Sequence, residues 1–299
     1  MRRTRRILVA FHLPEALRDV LEGIALYIKQ ADCQWQVECV EARDFHAAFG
    51  RKLIDGAITA LGPRSRGLIH RLRRSGTPVV NILRDLHPLL PSVLSDNRAI
   101  GREGAIYLRQ RGFRQFAFLG VDTPWSRERC AGFTEALRAA GLPPPLPVKQ
   151  LPMGDFEYET RVRAARSLRP LVRGLPRGTA VMTPADFISR TLLRACEAEQ
   201  IAVPSALAIL GVDNFHTICE LAPVPLSSIA QDFMGMGREA AALLDQLLEA
   251  GKRARPTSAV LLPPGRLYAR KSSDVLAFQD PEVMAALKLI HDHAATGIS

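Results

Sequence analysis

Cysteine is scarce in this sequence and shows no pairing pattern. Cys33, Cys39, Cys130, Cys196 and Cys219 are odd in number and form no Cys-x-x-Cys pair. That excludes a zinc ribbon or a small disulfide-stapled scaffold, and it predicts free thiols in a reducing cytoplasm. Long apolar runs are missing as well: none nears the roughly 20 residues needed to span a bilayer, so no membrane partner is expected. The start, MRRTRRILVAFHLPEAL, has basic residues before apolar ones, but Ile7–Phe11 is too short for a signal-peptide core and no small-residue cleavage site follows. It reads as a first strand.

Enzyme signatures are equally sparse. There is no Gly-x-Ser-x-Gly elbow, no phosphate-binding P-loop, no His-Glu-x-x-His pair and no metal-spaced Cys/His cluster. Gly235-Met-Gly237-Arg-Glu-Ala240 matches a dinucleotide fingerprint formally, yet it follows a loop rather than a strand. The two tryptophans are isolated and read as packing residues. No cofactor, no metal and no catalytic residue are expected.

What the chain has is alternation. Short apolar runs (Ile7–Phe11, Trp35–Val40, Leu53–Thr59, Pro78–Leu83) alternate with stretches carrying apolar residues at helical spacing, such as Leu17, Val20, Leu21, Ile24 and Ile28. After a helix over 98–111 the pattern restarts at Phe116–Leu119 and runs through Thr179–Met182 and Ala206–Leu210. Ser126 reads as a helix N-cap and Asp186 as another. This β-α-β-α order predicts an α/β fold of two doubly wound parallel sheets, arranged as a two-lobed clamshell. Lys plus Arg number 40 against 30 acids, a net +10. That suits a nucleic-acid partner without establishing one. The densest basic segment, Arg64–Arg74, has Leu68 and Leu72 on its other side and reads as a solvated helix face.

Residues 206–240 organise the rest. A buried strand ends in Gly211, Asp213 and Asn214; a Pro-rich crossing follows, and Gln231 precedes a helix starting near Phe233. Ligands of open α/β sheets bind outside the carboxyl ends of the strands. Asp96 and Asn97 follow one predicted strand, Arg129 lies in the first turn of a helix, and Asp186 begins another. Each alone fits a cap or turn role. Together, carboxylates, amides and an Arg fork suit a neutral polyhydroxylated ligand better than a catalytic reaction.

SDNRAIG (95–101), SRERCAGF (126–133), GVDN (211–214) and PLSSIAQDF (225–233) resemble the effector-binding core of the lactose-repressor family, which shares the fold of periplasmic sugar-binding proteins. VDNFHTICELAPVPLSSI, REAAALLDQLL (238–248) and LPPGRLYARKSSDVLAFQDPEV (262–283) resemble the xylose-operon regulators more specifically, and LVAFHLPEALRDVLEGIALYI fits the same group, with Arg18 at a typically Arg position. The resemblance implies ligand-binding roles for Arg18, Asp96, Asn97, Arg129, Asp186, Asp213, Asn214 and Gln231. Ala185 departs from it, standing where an Asn is common before the Asp; His12 and Pro14 depart in the first loop.

The resemblance further implies a sugar-sensing portion of a bacterial transcription regulator, cytoplasmic and homodimeric. Its effector is a small sugar, a pentose such as xylose, bound between the lobes. The expected lobes are 1–112 with 231–256 and 113–230 with 257–276. Residues 277–299 look like the first helix of an arabinose-regulator-type helix-turn-helix domain that contacts DNA, the rest of which is absent here. Asp280-Pro-Glu-Val283 opens that helix with Asp at the N-cap and Pro at N1. A solute-binding protein serving a sugar transporter, a sugar-modifying enzyme on the same fold, and a regulator acting through partner subunits are the alternatives.

Overall fold

The computed structural model describes residues 3–11, 14–41, 44–45, 54–61, 65–83, 89–148, 150–152, 161–250, 259–274 and 286. The expectations for His12 and for the helix over 280–298 lie outside them, Ala286 apart. The described chain divides into two compact units, residues 1–96 with 232–263 and residues 97–231 with 264–299.

In chain order the first unit opens with strand β1 (Arg5–Phe11), helix α1 (Pro14–Gln30), β2 (Trp35–Glu41), β3 (Gly56–Thr59), α2 (Arg66–Ser75), β4 (Val79–Ile82) and β5 (Ser92–Ser95). The second unit follows with α3 (Asn97–Gln110), β6 (Gln115–Phe118), α4 (Pro124–Ala139), α5 (Arg161–Gly174), β7 (Thr179–Met182), α6 (Asp186–Ala198), β8 (Leu207–Asp213), α7 (His216–Glu220) and β9 (Ser227–Ala230). The chain then returns to the first unit as α8 (Phe233–Ala250) and β10 (Val260–Leu262). It finishes in the second with β11 (Leu267–Tyr268) and a 3-10 turn over Lys271–Ser273.

The first sheet runs β10-β5-β4-β3-β1-β2 with every pairing parallel. The second runs β11-β9-β8-β7-β6, parallel except for the β11–β9 pair. Strands covered on both faces have no polar side to show. This is why β3, β4, β5, β7 and β8 are buried at every position and read as unbroken runs rather than alternations. In the second unit one face of the sheet packs with Leu168, Val172, Ile188, Leu192 and Cys196, and the other with Ile100, Leu108, Phe133 and Leu137.

The unit boundaries differ from those expected from the sequence, for two local reasons. Helix α3 joins the second unit because it lies against α4 at backbone contact: a Cβ added at Gly101 would fall 1.9 Å from the carbonyl oxygen of Arg129, and one at Gly132 2.0 Å from that of Arg98. Strand β10 joins the first unit because it pairs with β5, Leu261 beside Leu94. The formal dinucleotide fingerprint finds its explanation in the same kind of contact. Gly237 faces the backbone of α1, where a Cβ would meet the Val20 carbonyl at 2.0 Å, so its glycine serves helix packing.

Two cap assignments also change. The N-cap of α4 is Thr123, and the Ser126 hydroxyl instead accepts the Val121 N–H at 3.0 Å, tying the helix to the strand end. The N-cap of α6 is Ala185, while the Asp186 side chain points into the protein. All five cysteines are free thiols; burial pushes Cys196 up to about 12, out of reach of thiolate chemistry near neutrality.

Candidate functional site

At the carboxyl ends of β8 and β9 the backbone departs from ordinary geometry. Asp213 has φ +109° and Asn214 φ +54°, the left-handed region that favours glycine. Backbone of this kind costs on the order of 1–3 kcal/mol and persists only where its surroundings enforce it. Here the enforcement is visible. Asp213 stays in register with Ala230 on β9, and the Asn214 N–H donates to Ser228 Oγ at 3.0 Å. The outcome is a carboxylate aimed at α4 and held by the amide of Gln231, which donates to Asp213 Oδ1.

Arg129, one turn into α4, meets that carboxylate; its Nη1 lies 3.9 Å from Asp213 Oδ1. The guanidinium is 4% exposed, so burial works against its charge while Asp213, Asp186 and Glu128 support it. Its Nε donates to Asn97 Oδ1 at 2.9 Å, and Nη1 donates to the Pro184 carbonyl. Asn97 in turn donates to Glu128 at 3.0 Å. The indole of Trp125, four residues earlier on the helix, lies under the guanidinium with its ring centroid 5.1 Å from Cζ.

Asp186 sits behind this group. Its Oδ1 accepts the Ser228 hydroxyl at 2.6 Å, and its Oδ2 accepts the Phe215 N–H at 2.9 Å and the Cys219 thiol at 3.3 Å. Burial, then the nearby charge of Asp213, pushes its carboxyl up to about 8, against the pull of those three donors. Both oxygens are committed to the protein, so Asp186 supports the turn that carries Asp213 and Asn214 rather than reaching for a ligand. Asn214 is different: its Oδ1 is buried with no hydrogen-bond partner. An orphaned acceptor of this kind calls for a donor from outside the chain.

The structure therefore gathers Asn97, Arg129, Asp213, Asn214 and Gln231 in one unit, with Asp186 as their support. Asp96 and Arg18 belong to the other unit. The Asp96 N–H donates to the Leu262 carbonyl at 2.7 Å, and Arg18 is exposed on α1 and pairs with Glu22 at 3.0 Å. Sequence reasoning missed Trp125, Ser228 and the Pro184 carbonyl. The i, i+4 spacing of Trp125 and Arg129 on one helix face was the available signal for the first; a backbone carbonyl leaves none. Among the described residues no group of three or more His, Cys, Asp or Glu is placed to hold a metal ion, and no helix is long and apolar enough to cross a membrane.

The sequence pattern of the periplasmic binding protein-like domain matches residues 105–273, more than half of the chain and all of the cluster except Asn97. The chain belongs to the periplasmic binding protein-like family. Within that family it is homologous to xylose operon regulatory proteins. It is 29% identical to that of Haemophilus influenzae over 288 residues, covering 93% of this chain and 72% of the relative. It is also 29% identical to that of Escherichia coli K12 over 306 residues, covering 98% and 76%. Among solved structures, the xylose-binding transcription activator xylR matches with a TM-score of 0.74 and 28% identity over 100% of this chain and 77% of that one. The cellobiose complex of the transcriptional regulator CelR matches at 0.73 and 26%, over 91% and 85%. These periplasmic binding protein-like relatives are transcription regulators with ligand-sensing folds.

Proposed function

We propose that this chain is the sugar-sensing portion of a bacterial transcription regulator of the xylose-regulator type. It takes a small sugar, with a pentose such as xylose favoured, at the strand ends of the second unit. The observation that carries this reading is the set Asn97, Arg129, Asp213, Asn214 and Gln231 on strained backbone, with the buried Asn214 Oδ1 awaiting a donor. Carboxylate and amide oxygens accept sugar hydroxyls, and the buried guanidinium donates to ring and hydroxyl oxygens. The xylose and cellobiose named for its relatives belong to the same class of neutral polyhydroxylated ligand. The protein acts as a cytoplasmic homodimer, and residues 277–299 begin the helix-turn-helix domain through which the regulator meets DNA. No step of this function breaks a covalent bond.

Thermal denaturation in the presence of D-xylose, D-ribose, L-arabinose and cellobiose tests it. A sugar at a hundredfold excess over its dissociation constant adds about 2.7 kcal/mol of stability, which moves the midpoint of a chain this size by roughly 5–10 °C. The shift is expected to vanish in Arg129→Ala and in Asp213→Ala. Midpoints unmoved by every sugar in the panel would refute the reading.

A further inference from the structure

The strand ends of the second unit are not polar all round. Beside the polar turn at β8 and β9 lies the corner after β7, Thr183–Asp186, and its polar side-chain atoms all turn inward. The Thr183 hydroxyl bonds to Ser189 Oγ at 2.6 Å and to the Ala185 carbonyl at 3.1 Å. The Pro184 carbonyl accepts Arg129, and both Asp186 oxygens are taken by Ser228, Phe215 and Cys219. Ala185 has no polar side-chain atom. Trp125, half-buried, packs against the apolar cluster to which Ala185 belongs and carries Arg129 on its ring. A ligand held by Arg129 and Asp213 thus meets hydrogen-bonding groups on one side and an indole with an alanine corner on the other.

We infer that the ligand presents an apolar edge to Trp125 and the Ala185 corner, and that it is a deoxy sugar in preference to its fully hydroxylated counterpart. The inference rests on the sugar reading above and narrows it. A hydroxyl pressed against this edge loses its water and finds no partner, which costs affinity. A methyl or methylene there loses only unfavourable hydration. An apolar wall rejects an added hydroxyl by roughly tenfold to a hundredfold.

Isothermal titration with three matched pairs decides it: 2-deoxy-D-ribose against D-ribose, D-fucose against D-galactose, and L-rhamnose against L-mannose. In at least one pair the deoxy member is expected to bind at least tenfold more tightly. Ala185→Asn, which returns an amide to the corner, is expected to shrink that ratio severalfold; Trp125→Gln tests the same wall from α4 if the buried asparagine does not fold. With Trp35→Phe leaving Trp125 as the sole tryptophan, the deoxy sugar is expected to shift its emission to shorter wavelength. Equal or tighter binding of the hydroxylated member in every pair overturns this inference and leaves the sugar reading standing. Binding that leaves the Trp125 emission unmoved overturns it too. No binding by any of the six sugars overturns the sugar reading and this inference with it.

Discussion

Asp186→Leu is expected to destabilise the chain by at least about 3 kcal/mol, because it strands the Ser228 hydroxyl, the Phe215 N–H and the Cys219 thiol in a dry interior, at roughly 1–3 kcal/mol for each good donor left unpaired. Asp186→Asn keeps an acceptor oxygen and the shape, and is expected to cost far less. The two variants also separate on pH. The folded Asp186 carboxyl titrates at about 8, whereas in the unfolded chain it titrates near its usual value of about 4. Between those values the folded state holds a proton that the unfolded state releases. The stability it contributes is therefore complete below about pH 4, falls as pH rises through the window, and is gone above about pH 8. The slope reaches at most about 1.4 kcal/mol per pH unit. Urea denaturation of the native chain and Asp186→Asn at pH 5, 6, 7 and 8 reads this difference directly. A native chain that gains on the variant as pH rises would show that Arg129 keeps Asp186 ionised in the folded state.

The second large effect belongs to the α3–α4 contact. Gly132→Ala places a methyl 2.0 Å from the Arg98 carbonyl oxygen, a distance no real Cβ keeps, so the helices must part. Overpacking of this kind costs about 1–3 kcal/mol, occasionally more. The displacement reaches the ligand-binding groups because Asn97 lies on one helix and Arg129 on the other, joined by a 2.9 Å hydrogen bond. Loss of sugar binding is expected together with loss of stability. Gly67→Ala in α2 is the control: nothing lies within 4 Å of the added methyl, and alanine favours helix by roughly 1 kcal/mol, so the midpoint should rise slightly. Calorimetry of both variants, with titration of a bound sugar, checks the pair. A Gly132→Ala protein that melts and binds like the native chain would show that the helices can slide apart at little cost.

The parallel sheets were legible because buried strands write themselves as short apolar runs. Thr179–Met182 and the run ending in Asp213 fall where periodicity placed them, and α8 spans the expected residues. Arg129, Asp213 and Gln231 were legible as polar residues at strand and helix ends, and the structure brings them together. The direction of a side chain is another matter. Asp186 in sequence is an acid at a helix start, the pattern of a cap; only the fold shows its carboxylate turned back onto Ser228 and Phe215. Helix α7, five residues long, carries too little periodicity to announce itself. The lobe boundaries were misplaced because α3 reads as the natural close of the first α/β run. Its allegiance is decided by Gly101 and Gly132, residues without a side chain to form a pattern.

The interleaving of the two units bears on how the chain matures as it leaves the ribosome. Residues 97–231 supply β6–β9 and their helices as one uninterrupted stretch, so most of the second unit emerges with its partners already made. The first unit has no such privilege. Helix α1 emerges early, but the helix that seats against Gly23 and Val20 is α8, and β5 awaits β10. Until residues 232–263 are synthesised, the opening third of the protein carries an uncovered apolar face on α1 and an open edge on β5. The nascent chain is thus expected to complete its later half before its earlier one, with the beginning of the message waiting for its end.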